Sequence, residues 1–151
     1  MTTAYQLAKA EIGTVEFANG SNPKVIAYFK DAGHSEISDD ATAWCAAFVG
    51  AMLKRAGLKG TGALNARSYL GWGEAIARKD AHEGDIVVFR RGDCAWQGHV
   101  AFLVCDTGQS LTVLGGNQRD SVSSQAIKAD LLLGIRRALP GDYLPPPKSS
   151  L

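Results

Sequence analysis

The chain has 151 residues, of which 46 % are hydrophobic and 21 % charged, and its formal net charge is +1. That length fits one domain with a sizeable core, and the near-neutral charge excludes the strongly basic surface of a nucleic-acid binder. No apolar stretch approaches the length of a membrane-spanning helix, and three cysteines without framework spacing fit reduced thiols better than disulfides.

Taken in chain order, the first half reads as helical. The start, Met1-Thr2-Thr3-Ala4-Tyr5-Gln6-Leu7-Ala8-Lys9, lacks the basic end and continuous apolar core of a signal peptide, so the expectation is synthesis in a cytoplasm without one. Residues 4–12 fit a short amphipathic helix ended by Gly13. Asn22-Pro23 is a helix start, with Asn as cap and Pro at the first helical position, and Gly33 closes that segment. In the central helix Phe48, Val49, Met52, Leu53 and Ala56 recur at helical spacing, Asp40 or Thr42 can cap it, and Gly57 fits its stop. A further short helix is predicted over 66–76.

The second half changes period. Strands are predicted over 84–89, 99–105 and 111–114, with an edge-type strand over 131–137. Asp106-Thr107-Gly108-Gln109-Ser110 is a turn cluster between the second and third. Helices followed by an antiparallel sheet make the fold class α+β. Residues 1–139 form the single domain of this reading, and 140–151, with Pro145-Pro146-Pro147, an extended Pro-rich terminus.

The chemistry centres on Cys45, which opens the run Trp44-Cys45-Ala46-Ala47-Phe48-Val49. A helix start has unpaired N–H groups and partial positive charge, and both favour a thiolate. An ordinary thiol, with a pKa of about 8.5, is only a few per cent thiolate at pH 7, so such help matters. Downstream lie Gly98-His99-Val100 and Gly115-Gly116-Asn117-Gln118, each at the end of a strand-like run. If Asp106 pairs with Ser110, then Cys105 faces Leu111, Leu103 faces Val113 and His99 faces Asn117. Opposed residues share one sheet face, so Asn117 is expected to orient the His99 ring. Cysteine, histidine and a polar orienting residue, in that order, make the papain-type arrangement for amide hydrolysis. The backbone N–H of Cys45 is the expected first oxyanion donor.

Other residues carry weaker signals. Cys94 lies in a polar loop and Cys105 reads as strand core. His34 and His82 read as solvated loop residues. Cys45, Cys94, Cys105 and His99 lack zinc spacing, so no metal or cofactor is expected. Asp39 and Asp40 read as a cap and its solvated neighbour rather than a calcium site. Trp72 and Trp96 fit either a substrate groove or a core ring. Trp44 and Gln118, beside the nucleophile and the orienting residue, are further candidates for substrate contact. The pairs Arg90-Arg91 and Arg136-Arg137 read as a solvated strand end or loop.

Trp44-Cys45-Ala46-Ala47-Phe48-Val49, Gly84-Asp85-Ile86-Val87-Val88-Phe89, Gly98-His99-Val100-Ala101-Phe102 and Gly115-Gly116-Asn117-Gln118 together resemble the CHAP branch of the NlpC-type papain-like hydrolases. The resemblance runs from about Glu11 to Arg137. It implies a papain-like fold with Cys45 as nucleophile, His99 as base and Asn117 as third member. It further implies hydrolysis of peptidoglycan, either as a muramoyl-L-alanine amidase or as a stem-peptide endopeptidase. A single catalytic unit without a wall-binding module resembles phage endolysins, monomers that reach the wall after release from the host cytoplasm. The alternatives are an antibacterial amidase effector and a non-catalytic wall-binding or phage structural module.

Overall fold

Local caps decide where the helices begin in the computed structural model, which describes residues 2–17, 21–36 and 43–145. Helix α1 (Ala4–Ala10) opens on a capping box: the Thr3 hydroxyl accepts from the Gln6 N–H at 3.1 Å and the Thr3 N–H donates to Gln6 Oε1 at 2.8 Å. It stops short of Ile12, and the chain turns through Gly13 at φ +101°. Helix α2 (Pro23–Asp31) starts as expected, with Asn22 Oδ1 accepting from the Lys24 N–H at 2.9 Å. Helix α3 (Cys45–Arg55) buries every residue from Cys45 to Leu53. The expected caps Asp40 and Thr42, and Asp39 with them, lie outside the described residues. Trp44 holds the cap position, and no side chain closes the helix start.

The predicted fourth helix is a 3-10 turn, Ala66–Gly71, followed by the two-residue strand β1 (Glu74–Ala75). Gly71 and Gly73 flank Trp72 and break the helical pattern. At Gly73, φ is +64° and an added Cβ would lie 2.5 Å from the Arg137 carbonyl oxygen, so only glycine fits there.

Strands β2 (Ile86–Arg90), β3 (Gly98–Asp106), β4 (Ser110–Gln118), β5 (Ser121–Lys128) and β6 (Leu132–Arg137) complete a six-stranded sheet in the order β1-β6-β2-β3-β4-β5. All its pairings are antiparallel. Alternation gives the sheet two apolar faces. Ile86, Val88, Val100, Phe102 and Leu114 pack under the helices, while Val87, Phe89, Ala101, Leu103, Val113 and Ile135 form a second cluster. Burial on both sides explains the unbroken apolar run of β2. Strand β5 was not legible, because its sequence SVSSQAIK is mostly polar and short of alternating apolar residues. Strand β6 is not at the edge as expected, since β1 pairs with its outer side.

Segment 140–144 docks instead of extending away. The Lys59 N–H donates to the Asp142 carbonyl at 2.7 Å, and the Leu144 N–H donates to that of Gly57 at 2.7 Å.

Asp85, just ahead of β2, ties the strand start to the end of β6. Arg137 donates from Nε and Nη2 to its two carboxylate oxygens, both at 2.8 Å, and the His82 N–H donates to Oδ2 at 2.8 Å. The carboxylate is buried, whereas Arg137 keeps 35 % of its side chain exposed and can rehydrate if left alone. Asp85→Ala should therefore lower stability by roughly 2 kcal/mol, below the range for a fully buried pair. A lower urea midpoint at unchanged m-value is the expected reading. An unchanged midpoint would contradict the clamp.

Candidate active site

The hairpin of β3 and β4 carries the expected register only in its middle. Leu103 faces Val113 and Phe102 faces Leu114, but a shift beyond Leu103 sets Cys105 against Thr112 and Asp106 against Leu111. Cys105 is consequently exposed at the strand end rather than in the core.

At the other end β4 bulges against β5 between Gly115 and Gln118, and Asn117 adopts left-handed backbone at φ +59°. Regular alternation would have put Asn117 beside His99. The bulge inserts one residue, and Gln118 takes that place: His99 Nε2 lies 2.8 Å from Gln118 Oε1. The expected His99–Asn117 contact is corrected accordingly.

The buried amide of Gln118 can point only one way. Its Nε2 donates to the Ser123 carbonyl at 2.7 Å, and a carbonyl accepts hydrogen bonds but cannot donate them. Oε1 must then face His99, so His99 donates from Nε2–H. The proton on Nε2 leaves Nδ1 as the nitrogen free to exchange a proton with Cys45.

Two glycines allow this approach. A Cβ on Gly115 would lie 2.9 Å from both the Ala101 Cβ and Gln118 Oε1. One on Gly116 would lie 2.7 Å from the Phe48 Cβ and 2.8 Å from the Trp44 ring. The Gly-Gly pair thus lets β4 pass directly under the start of α3.

Burial is the largest influence on Cys45 and raises its pKa. The hydrogen bond and charge of His99, with hydrogen bonds from the backbone N–H groups of Val100 and Ala46, outweigh it and hold the thiol below its ordinary value. Burial likewise lowers His99. Its hydrogen bond and charge interaction with Cys45 and its bond to Gln118 outweigh that effect, while the nearby Arg91 charge opposes them, and the net shift is upward. Thiolate and imidazolium therefore stabilise one another at a helix start.

The tryptophans fall elsewhere. Trp44 is fully buried, stacks on Tyr28 at 5.9 Å, and donates from Nε1 to Glu16 Oε1 at 2.6 Å. It supports α3 from inside and presents no face to a substrate. Trp72 is also a core ring, packed edge-on against Tyr69 and donating to the Lys59 carbonyl at 2.7 Å. Trp96 is 71 % exposed in the loop before β3. His34 is held between Glu36, at 2.8 Å, and the Gly62 carbonyl, at 2.6 Å, rather than free in solvent. Among the described residues no three His, Cys, Asp or Glu side chains converge.

A family model for the CHAP domain matches residues 37–117, a span holding Cys45, His99 and the Gly-Gly pair. The chain belongs to the CHAP domain family. Solved NlpC/P60 structures share its fold. A lipoprotein-like member from Staphylococcus aureus aligns at 19 % identity and TM-score 0.57, over 91 % of this chain and 41 % of its own. RipD from Mycobacterium tuberculosis, described as a non-catalytic NlpC/p60 protein adapted to peptidoglycan binding, aligns at 14 % identity and TM-score 0.55, over 91 % and 95 %. The peptidoglycan hydrolase RipB from the same organism aligns at 12 % identity and TM-score 0.53, over 89 % and 62 %. The CHAP chain thus spans less than half the length of the staphylococcal protein. No curated protein matches its sequence.

The ion pair sets a pH window. Cys45, with a lowered pKa, stays charged below the ordinary thiol range and loses its charge as pH falls through that lowered value. His99, with a raised pKa, stays charged above the ordinary imidazole range and loses its proton as pH rises through the raised value. Alkylation of Cys45 by iodoacetamide should therefore stay fast well below pH 8, and His99→Ala should move its acid-side midpoint upward. A rate that climbs only through the ordinary thiol range in both proteins would contradict the pair.

Proposed function

We propose that this CHAP domain is a cysteine peptidoglycan hydrolase that cuts an amide bond of the bacterial wall. The observation that carries the reading is the buried His99–Gln118 hydrogen bond, which directs Nδ1 of the ring to Cys45 at the start of α3. A protein that only binds the wall has no use for a thiol lowered by an oriented imidazole.

In the proposed reaction the Cys45 thiolate attacks the amide carbonyl carbon, forming a C–S bond and moving the carbonyl electrons onto oxygen. The backbone N–H of Cys45, first in α3 and without an intrahelical partner, faces that oxyanion. On collapse the C–N bond breaks, and the His99 imidazolium gives its Nδ1 proton to the departing amine. Water then attacks the thioester while Nδ1 takes its proton, which releases the carboxylic acid and restores the thiolate–imidazolium pair. Gln118 is a positioning residue throughout, replacing Asn117 in the role expected from sequence.

The amide cut is either the muramoyl–L-alanine bond or one within the stem peptide. The biological setting we propose is a phage lysin that reaches the wall after release from its host.

Digestion of purified Gram-negative sacculi, read by mass spectrometry of soluble fragments, tests the activity. Release is expected from the native protein and none from Cys45→Ala. Gln118→Ala should retain activity but lose on the order of a hundredfold in kcat, within the usual contribution of a positioned acid–base group. No Cys45-dependent release would move the protein to the wall-binding class that RipD is described as representing.

A further inference from the structure

Beside His99 and Gln118 opens a cleft of about 290 Å³ that Cys45 does not line. Its wall includes His99, Gln118 and Asn117, and three arginines: Arg90 at the end of β2, Arg91 just after it, and Arg119 in the turn between β4 and β5. No aspartate or glutamate lines it. Among the described residues none of the three guanidinium groups has an ion-pair or hydrogen-bond partner, whereas Arg55, Arg78 and Arg137 are all paired with acids. Asp93 and Asp120, the nearest acids in sequence, form no ion pair with them. In a protein of net charge +1 this is a local concentration of unneutralised positive charge.

Arg119 stands at φ +53° and Asp120 at φ +60°, as the two central residues of a tight hairpin joining Gln118 to Ser121. The same bulge and turn that bring Gln118 to His99 therefore also set Arg119 on the cleft wall.

We propose that this cleft is a substrate subsite beside the catalytic histidine, and that it takes a short peptide bearing at least one free carboxylate. The inference rests on the hydrolase reading for its substrate. Guanidinium groups bind carboxylates through paired N–H donors, which gives both affinity and orientation. The chemistry suits a peptidoglycan stem, because both the fragment after muramic acid and the fragment after D-Glu carry carboxylates. A bound carboxylate on Arg91 would also offset the charge that opposes protonation of His99, favouring the proton donor as the substrate arrives.

Calorimetry with full-length Cys45→Ala protein tests the subsite without turnover. The probes are the tripeptide L-Ala-γ-D-Glu-diaminopimelate and the same peptide with its carboxylates converted to carboxamides. The acid form should bind about tenfold or more tightly, as one or two charge-assisted hydrogen bonds imply. Adding Arg91→Gln and Arg119→Gln should abolish that preference, and Lys54→Gln, at a separate cleft, should not. Equal binding of acid and amide, or a preference that survives both arginine changes, would overturn the subsite. Sacculus digestion by the native chain separates the two proposals. Lost carboxylate preference with Cys45-dependent digestion sinks the subsite alone. Retained preference without digestion sinks the hydrolase and leaves a carboxylate-binding cleft.

Discussion

One buried hydrogen bond, from His99 Nε2 to Gln118 Oε1, sets the chemical state of the site. It fixes the tautomer of the imidazole, and the tautomer decides which nitrogen meets the thiol. The bond depends in turn on a single inserted residue in β4. Without the left-handed turn at Asn117, the glutamine side chain would lie on the opposite face of the sheet and the amide would have no contact with the ring. The Ser123 carbonyl completes the arrangement by holding the amide in one orientation. His99 and the Gln118 side chain are both buried, so a wrong orientation of the amide would leave polar atoms unpaired.

The rest of the fold brings two elements to that bond. Helix α3 packs across β3 and β4, so its first residue meets β3 where His99 begins its outward run. Glycines at 115 and 116 make the crossing close enough, and Trp44 fills the space on the helix side while its indole N–H finds Glu16. The Asp85–Arg137 clamp holds the opposite end of the sheet, away from the chemistry. The site is thus carried by rigid elements, with the nucleophile on a helix and its partners on neighbouring strands.

Much of this was legible from sequence. Cys45 at a helix start and His99 at a strand start follow from hydrophobic period, and the α+β class follows from the switch of period along the chain. Residues at the bulge were not legible, because alternation is a rule for regular strands and a bulge breaks it by one residue. The Gly-Gly pair stands in the motif ahead of Asn117, but nothing in it says which following side chain turns inward. Trp72 fits either a groove or a core ring by sequence, and Trp44 is a candidate for substrate contact only by its place beside Cys45; packing puts both in the core. Strand β5 escaped because its polar side chains carry no period, although backbone pairing with β4 is sufficient to hold it. Arg90-Arg91 reads as a solvated pair, and Arg119 carries no signal of its own in the sequence. Their meaning lies in their convergence, which involves residues nearly thirty positions apart.

Nitrogen-15 NMR of the His99 imidazole reads the central claim directly. The account predicts a ring that keeps its Nε2 proton throughout and loses the one on Nδ1 only above the ordinary imidazole range. It also predicts that Cys45→Ala lowers that transition and that Gln118→Ala lets both tautomers appear. A neutral ring at pH 7 protonated on Nδ1, unchanged by either substitution, would contradict it.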